Sequence, residues 1–318
     1  MEAMTSRKPE FSRLFLEEVG RPVREGVALK DFSNFRIGGP ADYFYEAAAA
    51  ADLKAAILTA QRHSLSCYVI GGGFNLLFDD EGFRGLIIKN SVKGVGMGPS
   101  GPGLTAFSGT SLDDMVAFAT ANGLSGFEFL AGIPGTVGGA VFGNAGAFGR
   151  SIGEQLEKAL LLDKEGREFR VQREYFAFAY RHSALKEKHD ILLSLQFRLE
   201  ARDKDEIKAS IAENLAVRAQ KLPPMETAYA GSYFKNAVRP NGTKIAAGYL
   251  LEQVGAREAR VGGAAVYPGH CNFLLNRENA TARDVLTLAG GLKARVKERF
   301  GIELQEEVIF LPAVSLKP

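Results

Sequence analysis

Long apolar runs are missing from this chain of 318 residues. No window approaches the roughly 20 consecutive apolar residues that a bilayer crossing needs, and Met1 to Glu10 holds no apolar stretch of signal-peptide length. A membrane span and a leader are therefore not expected, and the chain reads as cytoplasmic. Cysteine is scarce as well. Cys67 and Cys271 are the only two, far apart and in no C-x-x-C spacing. That excludes a disulfide framework and a thiolate metal set, so both read as small packing residues and no metal is expected. Charge of one sign is absent too. The net charge is +2, from 39 basic and 37 acidic side chains. With no basic stripe interleaved with aromatics, neither nucleic acid nor a membrane surface is indicated as a partner.

What remains is the composition of a soluble globular protein, 46% hydrophobic and 24% charged, with room for two or three packed units. Internal repeats are lacking, and the alanine run Ala47 to Ala51 reads as helix rather than linker. Apolar spacing predicts a helix within Glu46 to His63, then a short buried strand at Cys67 to Ile70 that runs into Gly71-Gly72-Gly73. Arg84 to Lys89 reads as another strand, and Ser91 to Gly103 as a connection broken by glycine and proline. Ser111 with Asp114 caps a helix that Gly123 ends. Strands follow at Leu156 to Leu162, Glu168 to Val171 and Ile191 to Leu199, the first two joined by a turn at Asp163 to Gly166. A charged helix over Lys204 to Lys221 is stopped by Pro223-Pro224. Beyond it, helices are expected at Lys244 to Val254 and Thr281 to Phe300, the latter capped by Gly301. Strands are expected near Asn272 to Leu275 and at Val308 to Leu311.

The chemistry begins with glycine. Gly126 to Ala140, continued in Gly143 to Gly149, is poor helix or strand material by composition, yet its many apolar residues do not suit a solvated loop. Such bare backbone suits close approach of N–H groups to the phosphates of a nucleotide. A G-x-G-x-x-G match at Gly96, Gly98 and Gly101 is a chance one, because Pro99 and Pro102 stand where a dinucleotide-binding helix should begin. Gly71-Gly72-Gly73-Phe74-Asn75 differs in directly following a strand. Its N–H groups can form an anion nest, with the Asn75 amide as an added donor. The two glycine segments together read as a two-sided cradle for a dinucleotide pyrophosphate, ahead of a reading as simple turns.

A set of ordered motifs carries a resemblance. Asn34-Phe35-Arg36-Ile37-Gly38-Gly39-Pro40-Ala41, Ile70 to Leu77, Gly132 to Ala140 and Asn144-Ala145-Gly146 come first. Tyr180-Arg181-His182-Ser183, Gly231-Ser232-Tyr233-Phe234-Lys235-Asn236, Gly262-Gly263-Ala264, His270 to Asn276 and Gly301 to Val308 follow. From about residue 27 to 310 the chain resembles the UDP-N-acetylenolpyruvoylglucosamine reductases, the MurB family of peptidoglycan precursor synthesis. The resemblance implies an α+β chain: a two-subdomain FAD-binding fold of the PCMH/vanillyl-alcohol-oxidase type plus a C-terminal α/β substrate-binding domain. Residues 1–25, polar with short apolar interruptions, read as an arm or a short helix; the resemblance then implies FAD-binding subdomains at 26–92 and 93–221 and the substrate-binding domain at 222–318, a division that the prolines and glycines also suggest.

The same resemblance implies the chemistry. In the family NADPH reduces non-covalently bound FAD at N5, and the hydride passes to the enolpyruvyl vinyl carbon of a UDP-sugar, so an enolate-like charge must be stabilised and then protonated. Arg181 matches the arginine that meets the substrate carboxylate, Glu307 the glutamate that acts with it, and Ser232 the proton donor, aided by a water or by Lys235. Because a carboxylate would repel an enolate, Glu307 is expected to act as a protonated donor, a form that burial favours. FAD contacts are implied at Arg36, Ile37, Gly71, Gly72, Gly73, Phe74, Asn75, Leu76, Gly132, Ile133, Pro134, Gly135, Thr136, Gly138, Gly139, Asn144, Gly146 and Ala147. Substrate contacts are implied at Tyr180, Lys221, Asn236 and His270. A monomer is expected.

There are departures from the family. Phe74 stands where a serine is usual, Ala237 where proline follows Lys-Asn, and Val266-Tyr267-Pro268-Gly269-His270 where Val-Ser-x-x-His is usual. The short stretch after Arg181 places the chain in the subgroup that lacks an extra tyrosine-bearing loop. Two other readings remain at this point. One is an FAD-dependent oxidase or dehydrogenase of the same fold acting on an alcohol or hydroxy acid, although no histidine lies within Gly71 to Asp80 to tether a flavin. The other is a nucleotide-binding regulatory protein without catalysis, against which the joint presence of Arg181, Ser232 and Glu307 argues.

Overall fold

Alanine and leucine spacing produces a helix at Ala50–Arg62, with Leu53, Ala56, Ile57 and Ala60 on its buried side. The computed structural model describes residues 7–99, 101–224, 226–239 and 242–314. They form two units: one holds the residues up to Glu25, Tyr43–Gly72 and Gly85–Ala219, the other Gly26–Asp42, Gly73–Arg84 and the chain from Gln220 onward. Of the segment expected as the first FAD-binding subdomain, 43–72 and 85–92 thus share a unit with 93–219. Residues 26–42 and 73–84 belong with the C-terminal part.

The first unit is built on an antiparallel five-stranded sheet in the order Glu168–Gln172, Leu156–Leu162, Ile191–Arg198, Gly103–Phe107 and Val95–Met97. The last strand lies inside the connection expected to be broken. Gly98 N–H donates to the Gly103 carbonyl at 2.9 Å, so the chance glycine match sits in a hairpin rather than before a helix. Leu112–Ala121 is capped by Ser111, whose hydroxyl accepts from Asp114 N–H at 3.0 Å. Met115, Leu130, Val137, Leu161 and Phe176 meet in one core. Each such side chain contributes about 1.5–3 kcal/mol on full burial.

A second core of this unit joins Phe11 and Phe15 of the helix Arg7–Val19 to Tyr43, Tyr45, Leu53 and Ile57. Of the arm or short helix expected at the start, the described part is thus mainly a docked helix; the first six residues lie outside those described. Glu18 accepts from Thr59 at 2.8 Å and Arg62 at 2.5 Å, and lies 2.9 Å from His63 Nε2.

The glycine-rich run is not irregular throughout, contrary to the compositional expectation. Val137–Gly143 is helical, with Thr136 Oγ1 accepting from Gly139 N–H at 3.3 Å at its start. Buried Val137, Ala140 and Val141 override the poor helix propensity of Gly138 and Gly139.

In the second unit four short antiparallel strands lie in the order Ala228–Tyr229, Leu274–Asn276, Ala264–Val266 and Arg260–Val261. Val285, Leu288, Leu292 and Val296 of the helix Ala282–Phe300 share a core with Ala264, Val266 and Leu274. That helix carries the Thr281/Asp284 capping box, and Gly301 ends it at φ 66°. Asp80 accepts from the N–H groups of Ala282 and Arg283 at 2.7 and 3.2 Å. The helix expected from Lys244 is shorter, Ala247–Gln253, because Lys244–Ile245 pairs with Ala237–Val238 as strand. Leu76–Phe78 runs parallel to Ile309–Leu311. Among the described residues no helix is long and apolar enough to cross a membrane.

Candidate active site

Gly71, at the start of the first glycine segment, meets the second segment within the first unit. A Cβ on Gly71 would lie 2.4 Å from Thr136 Oγ1, and one on Gly138 would lie 2.9 Å from the Ser108 carbonyl oxygen. Leu112 N–H donates to the Gly135 carbonyl, Val137 N–H to Thr110 and Gly138 N–H to Ser108, at 3.0, 2.9 and 2.8 Å. These bonds fix a floor of bare main chain, with Gly132 and Gly139 exposed along it and Gly135, Thr136 and Ile133 half-buried. Asn144 takes the left-handed conformation at φ 46° as the helix's C-cap. Its side chain is committed to the protein, accepting from Gly153 N–H at 3.1 Å and donating to the Ala179 carbonyl at 2.8 Å. Gly146–Ala147 pairs with Arg150–Ser151. Pro134, also expected at a cofactor, is exposed.

Tyr180 and Arg181 stand at the tip of a tight turn in which Ala179 and His182 exchange both main-chain hydrogen bonds at 3.2 Å. Arg181 sits at φ 54°, an uncommon conformation for a side-chain-bearing residue, and Lys186 Nζ holds its carbonyl at 2.9 Å. Its guanidinium lies 5.7 Å from the Tyr180 ring.

Sequence reasoning missed Arg218 in this unit. It donates to the Phe129 carbonyl at 3.1 Å, lies 5.5 Å from the Phe148 ring, and has a buried Nε without a hydrogen-bond partner among the described residues. A Cβ on Gly132 would lie 3.5 Å from its Cδ, which puts the side chain beside the glycine floor. Burial, and next the charge of Arg181, hold its guanidinium below the usual arginine range. A buried cation beside such a floor, further disfavoured by the charge of Arg181, suits an anionic or electron-rich ligand. One arginine near a helix end offers no sequence signal of this.

The second unit holds Ser232 and Glu307. Glu307 N–H donates to the Tyr233 carbonyl at 2.8 Å, Lys235 N–H to the Gln305 carbonyl at 2.8 Å, and Phe234 bridges Glu306 antiparallel. The chain after Ser232 therefore lies along the segment ending in Glu307, so two of the three expected catalytic residues share one short ladder. Both are half-buried. Gly231, at φ 66°, turns the chain into Ser232 in a left-handed conformation that glycine adopts most readily.

Here too lie Gly73 to Leu76. A Cβ on Gly73, at φ 72°, would sit 2.0 Å from the Phe32 carbonyl oxygen. The Asn75 amide, expected as a donor to the cradle, donates to the Glu307 carbonyl at 3.0 Å. Phe74 is half-buried and Leu76 is buried. Arg36, at φ 54°, reaches the Glu226 carbonyl at 3.3 Å. Ile37 is buried in the core of this unit, so only its main chain is placed to meet a ligand.

Of the expected substrate contacts, Asn236 is in part structural: its Oδ1 accepts from Ala247 N–H at 3.1 Å at a helix start. His270 Nδ1 accepts from Asn272 N–H at 3.2 Å, which leaves its proton on Nε2 when the ring is neutral. Burial, and more weakly the charge of exposed Lys221, lower its pKa from the ordinary value.

The glycine floor, with Gly132 and Gly139 exposed along it, fits a cofactor that lies against main chain, as a dinucleotide flavin would. The comparisons with known proteins agree. Residues 41–172 match an FAD binding domain and residues 223–311 the C-terminal domain of UDP-N-acetylenolpyruvoylglucosamine reductase. The chain is 36% identical over 303 residues to the UDP-N-acetylenolpyruvoylglucosamine reductase of Clostridium botulinum, spanning 94% of this chain and 95% of that protein. It is 41% identical over 297 residues to that of Agathobacter rectalis, spanning 88% and 91%. The crystal structure of the Thermus caldophilus enzyme superposes with a TM-score of 0.72 at 32% identity, covering 91% of this chain and all of that one.

Proposed function

Because the chain belongs to the UDP-N-acetylenolpyruvoylglucosamine reductase family, we propose that it reduces the enolpyruvyl group of UDP-N-acetylglucosamine enolpyruvate to give UDP-N-acetylmuramate. The work is that of a cytoplasmic monomer with non-covalent FAD as cofactor and NADPH as co-substrate. In this reading 26–92 and 93–221 carry the flavin and 222–318 the UDP-sugar. FAD, when bound, supplies the N5 position through which electrons from NADPH reach the substrate.

The chain's own residues do the rest. The floor around Gly71, Thr136 and Gly138 presents bare main chain against which the cofactor lies, the Gly138 N–H itself being bonded to the Ser108 carbonyl. Arg181 offers a permanently charged fork to the substrate carboxylate. Once the vinyl carbon has gained hydride, the neighbouring carbon carries enolate charge. Glu307 in its protonated form donates a hydrogen bond to that charge, and the Ser232 hydroxyl delivers the proton that completes reduction. Lys221, Asn236, His270 and Tyr180 contact the UDP-sugar. The observation that supports this reading best is the ladder joining the Ser232 segment to Glu307, with Glu307 N–H bonded to the Tyr233 carbonyl at 2.8 Å. A donor and its partner are thereby held on adjacent main chain.

The test is spectroscopic. The purified protein should be yellow, bleach anaerobically with NADPH, and regain its flavin spectrum on addition of UDP-N-acetylglucosamine enolpyruvate. Recovery only with an alcohol-derived carbonyl, a quinone or oxygen would overturn the reading in favour of a sister oxidase or dehydrogenase.

A further inference from the structure

Asn272 is 3% exposed, and an amide so buried is costly unless both its ends are satisfied. Both are, and by one residue. Its Oδ1 accepts from Phe234 N–H at 2.9 Å, and its Nδ2 donates to the Phe234 carbonyl at 2.8 Å. Its own carbonyl accepts from Tyr233 N–H at 2.8 Å. The side chain thus imitates the neighbouring strand of a sheet for the residues directly after Ser232.

Both main-chain polar groups of Tyr233 and of Phe234 are bonded. The N–H groups of Tyr233 and Phe234 go to Asn272, and that of Lys235 goes to Gln305. The carbonyl of Tyr233 accepts from Glu307, and that of Phe234 accepts from Asn272. The segment is gripped between Asn272 and 305–307. On the other side of Ser232, a Cβ on Gly231 would meet nothing within 4 Å, so the space beside that glycine is open. Asn272 N–H also donates to His270 Nδ1, linking the grip to a second candidate site residue.

We propose that Asn272 is the positioning residue for Ser232, fixing the main chain from which the serine presents its hydroxyl to the substrate. The inference rests on the reductase reading and on Ser232 as proton donor. Misplacement of about 1 Å can cost up to about 100-fold in rate. Asn272→Ala and Asn272→Asp, the latter keeping shape and the Oδ1 acceptor while losing the Nδ2 donor, should therefore slow one half-reaction only.

The experiment follows holoenzyme by stopped flow in two halves, reduction by NADPH and reoxidation by UDP-N-acetylglucosamine enolpyruvate. It uses the wild type, both Asn272 variants, Ser232→Ala and the double variant Ser232→Ala/Asn272→Asp. Reduction should stay within about twofold. Reoxidation should slow by about tenfold or more with an enlarged solvent isotope effect, as expected when proton delivery limits the step. In the Ser232→Ala background the Asn272 change should cost nothing further, since its effect runs through the serine. Independent losses that multiply in the double variant, or equal losses in both halves, would overturn the proposal while leaving the reductase reading intact. A wild type that substrate does not reoxidise would overturn both. If Asn272→Ala fails to fold, Asn272→Asp alone decides, by the isotope effect and the double variant.

Discussion

The amide of Asn75 donates to the main-chain carbonyl of Glu307 at 3.0 Å, and Ile309 N–H returns a bond to the Asn75 carbonyl at 3.1 Å. The last residue of the first glycine loop and the candidate acid are therefore parts of one hydrogen-bonded edge, continued by the parallel pairing of Leu76–Phe78 with Ile309–Leu311. Asn75→Ala removes one link on an exposed residue, so the stability cost should be about 0.5–1.5 kcal/mol. Flavin content should stay near that of the wild type, while substrate-driven reoxidation falls. The ratio of flavin to protein absorbance after gel filtration checks it. Loss of flavin with normal reoxidation of the loaded remainder would return Asn75 to a cradle role.

Ser232→Ala should leave reduction by NADPH nearly intact and slow reoxidation by about 100- to 10,000-fold, the usual worth of positioned proton transfer. Only the second half-reaction needs the proton. Matching losses in both halves would exclude Ser232 as the donor.

How much of this was legible in the chain depends on the range over which each feature is decided. Capping is local, so Ser111 with Asp114, and Thr281 with Gly301, mark helix ends from sequence. The helix at Val137–Gly143 was not legible, because Gly138 and Gly139 oppose it locally and only the burial of Val137 and Val141 secures it. Neighbouring strands such as Leu156–Leu162 and Glu168–Gln172 follow from periodicity, whereas Val95–Met97 needs its pairing with Gly103–Phe107 to count as strand. In the site, motif order pointed to Ser232 and Glu307. The motif His270 to Asn276 contains Asn272 but gave it no role, since that role lies in bonds to Phe234 across 38 residues, and nothing pointed to Arg218, whose neighbours Phe129 and Phe148 are distant in sequence.

Gly71→Ala should fail to hold flavin, since its methyl would meet Thr136 Oγ1 at 2.4 Å. Thr136→Ala removes the obstructing oxygen together with a helix cap worth about 1 kcal/mol. The double variant should then recover flavin content that Gly71→Ala alone lacks, with a melting temperature below the wild type. Absorbance and thermal melts test both. Equal flavin loss in single and double variants would show that the clash is not the cause.

Arg218→Met should separate cofactor retention from folding. Its bond to the Phe129 carbonyl is lost, but so is the repulsion from Arg181, and the two changes offset in the unliganded protein. A charge-assisted hydrogen bond to a ligand is worth about 1.5–3 kcal/mol, so the flavin dissociation constant should rise by about tenfold or more. Fluorescence titration of the apoprotein measures the first effect and denaturant unfolding the second. Unchanged flavin affinity would remove Arg218 from the cofactor floor.

His270 makes the acid limb of stability predictable. Burial, reinforced by Lys221 and opposed by Glu252 and by a main-chain bond of the ring, places its folded pKa below the ordinary 6.5. The unfolded chain therefore takes up this proton first as pH falls. Stability attributable to the neutral ring is full above the unfolded value, is lost as pH drops from 6.5 towards the lowered folded value, and loses nothing more below that. His270→Asn keeps an acceptor where Nδ1 meets Asn272 N–H and removes the titration. Denaturant midpoints measured between about pH 5 and 8 should thus fall less steeply on the acid side for the variant than for the wild type. Parallel profiles would mean that His270 titrates alike in both states. A variant that keeps the flat profile but has a raised KM for the UDP-sugar would add that the Nε2 proton faces substrate.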